Sequence, residues 1–212
     1  MGFDSYNTYI NNTAGFAKAE IVTPILGTGS LYMKGGGTTS GTLFPSVSIS
    51  PRAYLGRGTT YGRIRTLIKP IAKGTTGYFG IHCMSSNVGD LGASFRPSAL
   101  LPYYLMALDY DGTFKLKKYT AGTTLATSGS WSLGTVYALE LAWQFLTGPN
   151  RVVLTGKYGT NTDFTSLTTL SATDSSSPIL TSMNEGIIIS TITGAGLPEA
   201  TFDSVSFFIS GV

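Results

Sequence analysis

A chain of 212 residues, 42% of them hydrophobic, has ample material for a core, and its length suits one large β domain as readily as two small ones. Charged residues make up only 12%, about half the usual share of roughly 25%, and the formal net charge is +3. Charge this sparse and this spread excludes the dense basic stripe that a nucleic-acid groove needs, and no run is long and apolar enough to insert into a membrane as a helix.

The polar residues 1–16 read as an N-terminal arm, with residues 17–212 as a single β-sandwich domain. Residues 17–22 form the first strand, and 30–33 a short one that runs into Gly35-Gly36-Gly37. That glycine run lacks a following Lys-Ser/Thr and any helical pattern, so it reads as a loop and not as a phosphate cradle. Residues 47–55 hold a strand interrupted by Pro51, which implies an edge or a bulge. Residues 63–69 and 78–84 are the next pair, joined through Pro70 and a Lys-Gly-Thr-Thr-Gly turn. The stretch 85–102 is long and irregular, a length that is often functional.

Residues 103–145 organise the chain. A strand leads into Asp111-Gly112, both tolerant of positive φ and suited to a hairpin turn. A Gly/Thr/Ser-rich turn precedes Trp131, and residues 136–145 then alternate cleanly. Tyr137, Leu139, Leu141, Trp143 and Phe145 fall on one face, with Glu140 and Gln144 on the other. One oily face requires a second sheet to cover it. Residues 151–158 alternate in the same way, and 164–170 is the next strand candidate. After it come a Ser-rich loop at 172–178, an apolar strand at 186–192 and a terminal strand at 201–209. A dozen or more short strands with no amphipathic helix indicate an all-β antiparallel sandwich or barrel.

The order of these segments resembles the concanavalin A-like (laminin G-like) jelly roll. The resemblance rests on Gly29-Ser30-Leu31-Tyr32-Met33, the long strand 63–70, the hairpin 104–119, Trp131 followed by Val136-Tyr137-Ala138-Leu139-Glu140-Leu141, and Thr201-Phe202-Asp203-Ser204-Val205. It covers residues 17–209 and implies two packed antiparallel sheets, one of them concave. Glycosidases on this fold carry a Glu-x-Asp-x-Glu strand, since retaining hydrolysis needs two carboxyls roughly 5 Å apart, and no such run is present.

Other chemistry is thinly represented. Asp109 and Asp111 are the nearest carboxylate pair, and they read as turn residues. The lone His82 adjoins the lone Cys83 on an apolar strand, where neighbours face opposite ways and make a poor nucleophile–base pair. No Gly-x-Ser-x-Gly elbow accompanies them. Asn87 and Asp90 could contribute oxygens to calcium, the one cofactor the sequence leaves room for, although calcium takes six to eight of them. Tyr61, Tyr78, Tyr103 and Trp131 are the candidates for stacking on sugar rings. Lys115, Lys117 and Lys118 form the nearest thing to a basic cluster and read as a solvated strand face.

Three expectations follow. The first is a non-enzymatic structural protein of a virus particle, such as a bacteriophage capsid-decoration, head-fibre or tail-associated protein. It would assemble in the host cytoplasm, sit on the virion surface, and bind other virion proteins and its own copies, a homotrimer being typical. The missing disulfide, the start without basic and apolar signal regions, and the low charge motivate it. The alternative is a lectin-like module recognising a cell-surface glycan. An unusual polysaccharide lyase or hydrolase is a weaker third.

Overall fold

The computed structural model describes residues 17–26, 30–35, 46–48, 61–84, 103–119, 122–148, 150–179, 186–190 and 198–210. The N-terminal arm and the irregular stretch 85–102 lie outside these, as do Pro51, Asn87 and Asp90. The described strands are β1 (Ala17–Val22), β2 (Ser30–Gly35), β3 (Ser46–Ser48), β4 (Tyr61–Ala72), β5 (Tyr78–Cys83), β6 (Tyr103–Asp109), β7 (Thr113–Tyr119), β8 (Thr123–Ser130), β9 (Tyr137–Thr147), β10 (Asn150–Gly159), β11 (Thr168–Asp174), β12 (Gly186–Ser190) and β13 (Glu199–Ser210). They form a seven-stranded sheet ordered β1-β2-β13-β4-β9-β10-β11 and a six-stranded sheet ordered β3-β12-β5-β6-β7-β8. Every described pairing is antiparallel. The architecture is the two-sheet jelly-roll sandwich that the sequence implies.

Period-2 alternation decides what goes between the sheets. Ile64 and Ile68 of β4, Leu139, Leu141 and Trp143 of β9, and Val152 and Leu154 of β10 meet Phe79 and Ile81 of β5, Met106 and Leu108 of β6, and Phe114 and Leu116 of β7. Each of these is at most 2% exposed. Phe114 stacks on Tyr158 across the sandwich, ring centroids 3.8 Å apart. Gly62 is required beside Trp143, because a Cβ there would lie 2.1 Å from a carbon of the indole ring.

Polar ties fix the layers where hydrocarbon does not. Tyr104 of β6 donates to Asp174 Oδ2 of β11 at 2.6 Å, and Lys118 Nζ lies 2.7 Å from the same oxygen. Lys118 also donates to the carbonyls of Ser176 and Ser177. Asp203 sits at a bulge in β13, with Ser204 at φ 51°, and accepts from Leu26 N and Ser30 Oγ at 2.8 and 2.7 Å. The terminal motif that carries the family resemblance thus ties the turn before β2 to β13.

Three local expectations are corrected. The Thr/Ser-rich segment before Trp131 is the strand β8 and not a turn. It is the edge of its sheet and largely exposed, so it has no reason to alternate. The strand placed at 164–170 begins at Thr168 and runs on into the Ser-rich segment, because Asn161 and Asp163 fold residues 160–167 into hydrogen-bonded turns. Pro70 lies inside β4. The β9 ladder has ended at Ile68↔Tyr137 by that point, and Pro70 serves through its carbonyl, which accepts from Gly134 N at 2.8 Å.

Candidate functional site

The outward phase of β4, β9 and β10 gathers charge in a chain that has little. Arg65, Glu140 and Lys157 occupy one row across the three strands, and Arg63 lies two residues along β4. Glu140 is the hub. Its Oε2 is 2.5 Å from Arg65 Nε and 3.9 Å from Arg63 Nε, and its Oε1 is 3.0 Å from Lys157 Nζ. The Glu140 side chain is only 3% exposed, whereas the cations stand at 31% (Arg63), 30% (Arg65) and 37% (Lys157). Burial pushes the Glu140 carboxyl up, and the hydrogen bonds from Lys157 and Arg65 with their charges outweigh it, holding it below the usual carboxylate range. Three cations against one carboxylate leave a formal +2 on this patch.

Aromatic rings flank the charges. Phe208 of β13 pairs with Arg63 in register, and its ring centroid is 5.4 Å from the guanidinium carbon. Phe208 is 49% exposed and meets Tyr61 edge-on at 6.1 Å. Phe164, in the β10–β11 loop, lies over Arg65 at 5.3 Å. With strands spaced by about 4.8 Å, the distance from β13 to β10 across the patch is roughly 14 Å. The face can therefore offer guanidinium forks, an ammonium and apolar rings together, a combination suited to a carboxylated ligand with apolar faces.

The opposite face of the sandwich is different in kind. Lys117 Nζ lies 2.6 Å from Asp109 Oδ2, and Lys115 pairs with Asp111 and sits 3.4 Å from Asp109 Oδ1. Among the described residues, two cations meet two carboxylates here and no charge is left over. Lys118 points the other way, into its pair with Asp174, so the three lysines form no cluster. Asp111 also accepts from Thr113 N and Oγ1, closing the hairpin, with Gly112 at φ 87°. Asp111 performs the turn role expected of it, whereas Asp109 ends β6, where its carbonyl accepts from Gly112 N at 2.9 Å and its buried carboxylate pairs with the two lysines.

The aromatic candidates separate. Tyr61 is at the edge of the charged patch. Tyr78 and Tyr103 are buried on the outer side of the six-stranded sheet, hydroxyls 2.5 Å apart. Burial, then the neighbouring Tyr78, drives the Tyr103 phenol well above its ordinary value. Trp131 is buried between the sheets against Phe79 at 5.3 Å, and its Nε1 donates to the Asp109 carbonyl. Stacking on a sugar needs exposure that Tyr78, Tyr103 and Trp131 lack. His82, beside Tyr103, is 1% exposed, neither ring nitrogen has a partner among the described residues, and burial lowers its pKa to about 4. Asn87 and Asp90 lie outside the described residues, and among those described no three His, Cys, Asp or Glu side chains gather to hold a metal.

Sequence reasoning passes over Arg63, Arg65, Glu140 and Lys157. Each sits in the phase opposite to the core residues of its strand, and that phase was the available signal. Their convergence depends on the order β4-β9-β10, which no local pattern encodes.

No protein-family model matches the sequence, and no curated protein matches it. Among solved structures, the chain is similar to a family 7 alginate lyase with bound substrate, at TM-score 0.55 and 14% identity over 87% of this chain and 79% of that one. It is similar to a Bacillus subtilis protein of unknown function with a galectin-like fold, at TM-score 0.51 and 9% identity, covering 91% and 86% of the two chains. It is also similar to a functionally unknown Saccharomyces cerevisiae protein, at TM-score 0.50 and 12% identity, covering 91% and 93%. At such identities the likeness shows the fold, a concanavalin A-like jelly roll. It also corrects the expectation of a protein without catalysis. That expectation rested on missing paired carboxylates and a missing nucleophile elbow, which are requirements of hydrolysis. A fold that carries lyases is not bound by them, since elimination starts from proton abstraction beside a carbonyl. The named matches lend no support to a virion role.

Proposed function

We propose that the protein is a carbohydrate-binding jelly roll that takes an acidic polysaccharide on the outer face of its seven-stranded sheet. One observation carries this reading. Arg63, Arg65 and Lys157 converge on the buried Glu140 and leave a positive excess flanked by rings, in a chain with only 12% charged residues. The buried carboxylate holds the two guanidinium groups and the ammonium in place, so less side-chain freedom is lost when a ligand arrives. The arginine forks then pair with sugar carboxylates and Lys157 acts as a point charge. The likeness to an alginate lyase and to a galectin-like fold supports the reading at the level of fold.

The test is calorimetric titration of the full chain with oligouronates and with neutral oligosaccharides of the same length, with calcium and then with chelator. Binding of the acidic series alone is expected, weakened about tenfold or more by Arg63→Ala or Lys157→Ala. Equal binding of the neutral series, or no effect of either substitution, overturns the proposal. Loss of binding with chelator would bring calcium and the Asn87–Asp90 region into the site. The same mixtures, followed for the ultraviolet absorbance of a newly formed C=C bond, read turnover by elimination.

A further inference from the structure

We infer that Phe164 and Phe208 are the specificity-determining residues of this face, two rings that restrict the cation clamp to polyanions with a sugar's C–H surface. The inference rests on the binding reading above and deepens it. Its first support is placement. Arg63 and Arg65 are successive outward residues of β4, and each carries its own ring, Phe208 at 5.4 Å and Phe164 at 5.3 Å. The rings arrive by different routes. Phe208 stands in the neighbouring strand, while Phe164 belongs to the loop past the end of β10, which must fold back over the sheet to reach Arg65.

The second support is what the chain does to hold Phe164 there. Phe164 has φ 65° and Ser166 φ 52°, a left-handed backbone that side chains beyond glycine rarely adopt. The turn is pinned by Phe164 N donating to the Asn161 carbonyl at 3.2 Å, by Thr165 N and Oγ1 donating to Asp163 Oδ1 at 2.8 and 2.6 Å, and by Asn161 Nδ2 donating to Thr165 Oγ1 at 2.7 Å. Strain of this kind persists only where the surroundings over-determine it, and it concentrates at working sites. Core packing does not account for it, since Phe164 belongs to neither buried cluster. Phe208 is 49% exposed and does not stand alone, since it meets the Tyr61 ring at 6.1 Å and the Arg63 guanidinium at 5.4 Å to form one continuous patch.

The chemistry then divides the labour. A uronate ring presents a carboxylate at its rim and C–H groups on its faces. The guanidinium takes the carboxylate, and a ring beside it takes the C–H face. A polyanion without such faces engages the cations alone and gains nothing from the phenylalanines.

The experiment titrates the full chain and its variants with oligouronates and, separately, with polyglutamate of matched length and charge, at one ionic strength. Phe164→Ala and Phe208→Ala are each expected to weaken oligouronate binding several-fold to about tenfold, leaving polyglutamate within about twofold. Phe164→Tyr keeps the ring and should keep the affinity. Melting curves separate misfolding from a lost contact. Equal loss for both ligands, or no loss for either, overturns the inference. Wild-type protein that binds polyglutamate as tightly as oligouronate overturns it too, while leaving the cation clamp standing. Protein that binds neither overturns both readings.

Discussion

His82 makes the stability of this fold dependent on pH in a way that one residue can be made to report. It is the only histidine in the chain, 1% exposed, and neither ring nitrogen has a partner among the described residues. Charging it in place would put an unpaired cation in an apolar setting beside the Tyr103 ring. Its pKa in the fold is therefore about 4, against 6.5 when solvated, with burial as the cause. Between these values the unfolded chain binds the proton and the folded one does not, so stability falls as pH falls from 6.5 towards 4 and this contribution levels off below that. The span corresponds to about 3 kcal/mol, a substantial part of the roughly 5–15 kcal/mol that holds a domain together. Urea unfolding of the wild type and of His82→Leu at a series of pH values isolates the term. Asp109, Lys115 and Lys117 on the same sheet face, and every other carboxylate, are common to both proteins and cancel in the difference. The variant should gain on the wild type by about 3 kcal/mol between pH 7 and pH 4. At pH 7 it should be neutral or slightly more stable, because a buried N–H without an acceptor has been removed. A difference that stays flat across pH would refute the argument, since the imidazole would then be solvated or paired.

Other substitutions probe other parts. Gly62→Ala puts a methyl group into the space of the Trp143 indole and should cost on the order of 1–3 kcal/mol, read as a lowered melting temperature. Asp174→Ala leaves Lys118, whose side chain is 9% exposed, without its counter-charge and held, among the described residues, only by the Ser176 and Ser177 carbonyls; a loss of up to about 3–5 kcal/mol is expected, seen as a lower urea midpoint with an unchanged slope. Affinity for an acidic glycan should fall steeply as salt rises from about 0.05 to 0.5 M, because the clamp cations are about a third exposed and are screened by added ions. Salt-independent binding would place the ligand elsewhere.

How much of this was legible from the chain depends on whether a residue's role is local. The faces of β9 and β10 follow from alternation, because burying every second residue leaves a mark along one strand. The Asp111-Gly112 hairpin follows from a glycine that takes φ 87° and an aspartate whose carboxylate accepts from Thr113. β8 was misread as a turn because this edge strand buries little beyond parts of Leu125 and Ala126, too little to leave a pattern. β11 was displaced because the residues before it are committed to side-chain hydrogen bonds that sequence alone could not assign to a turn.

The charged patch failed to show for another reason. Arg63 and Glu140 are 77 positions apart, and they meet only because β4 is inserted between β13 and β9. Lys115, Lys117 and Lys118 are near neighbours in the chain and look like a cluster, yet alternation sends Lys118 away and two aspartates neutralise the others. The sequence already reads them as a strand face and not as a site, and among the described residues the fold leaves no net charge there. Topology built the real excess from residues that look isolated. In an antiparallel sandwich, outward side chains gather across strands, along rows fixed by register, and rows are a property of strand order. For a chain this poor in charge, the informative quantity is the sum of charge along each outward row, and here the row through Glu140 and its neighbour through Arg63 single out one face.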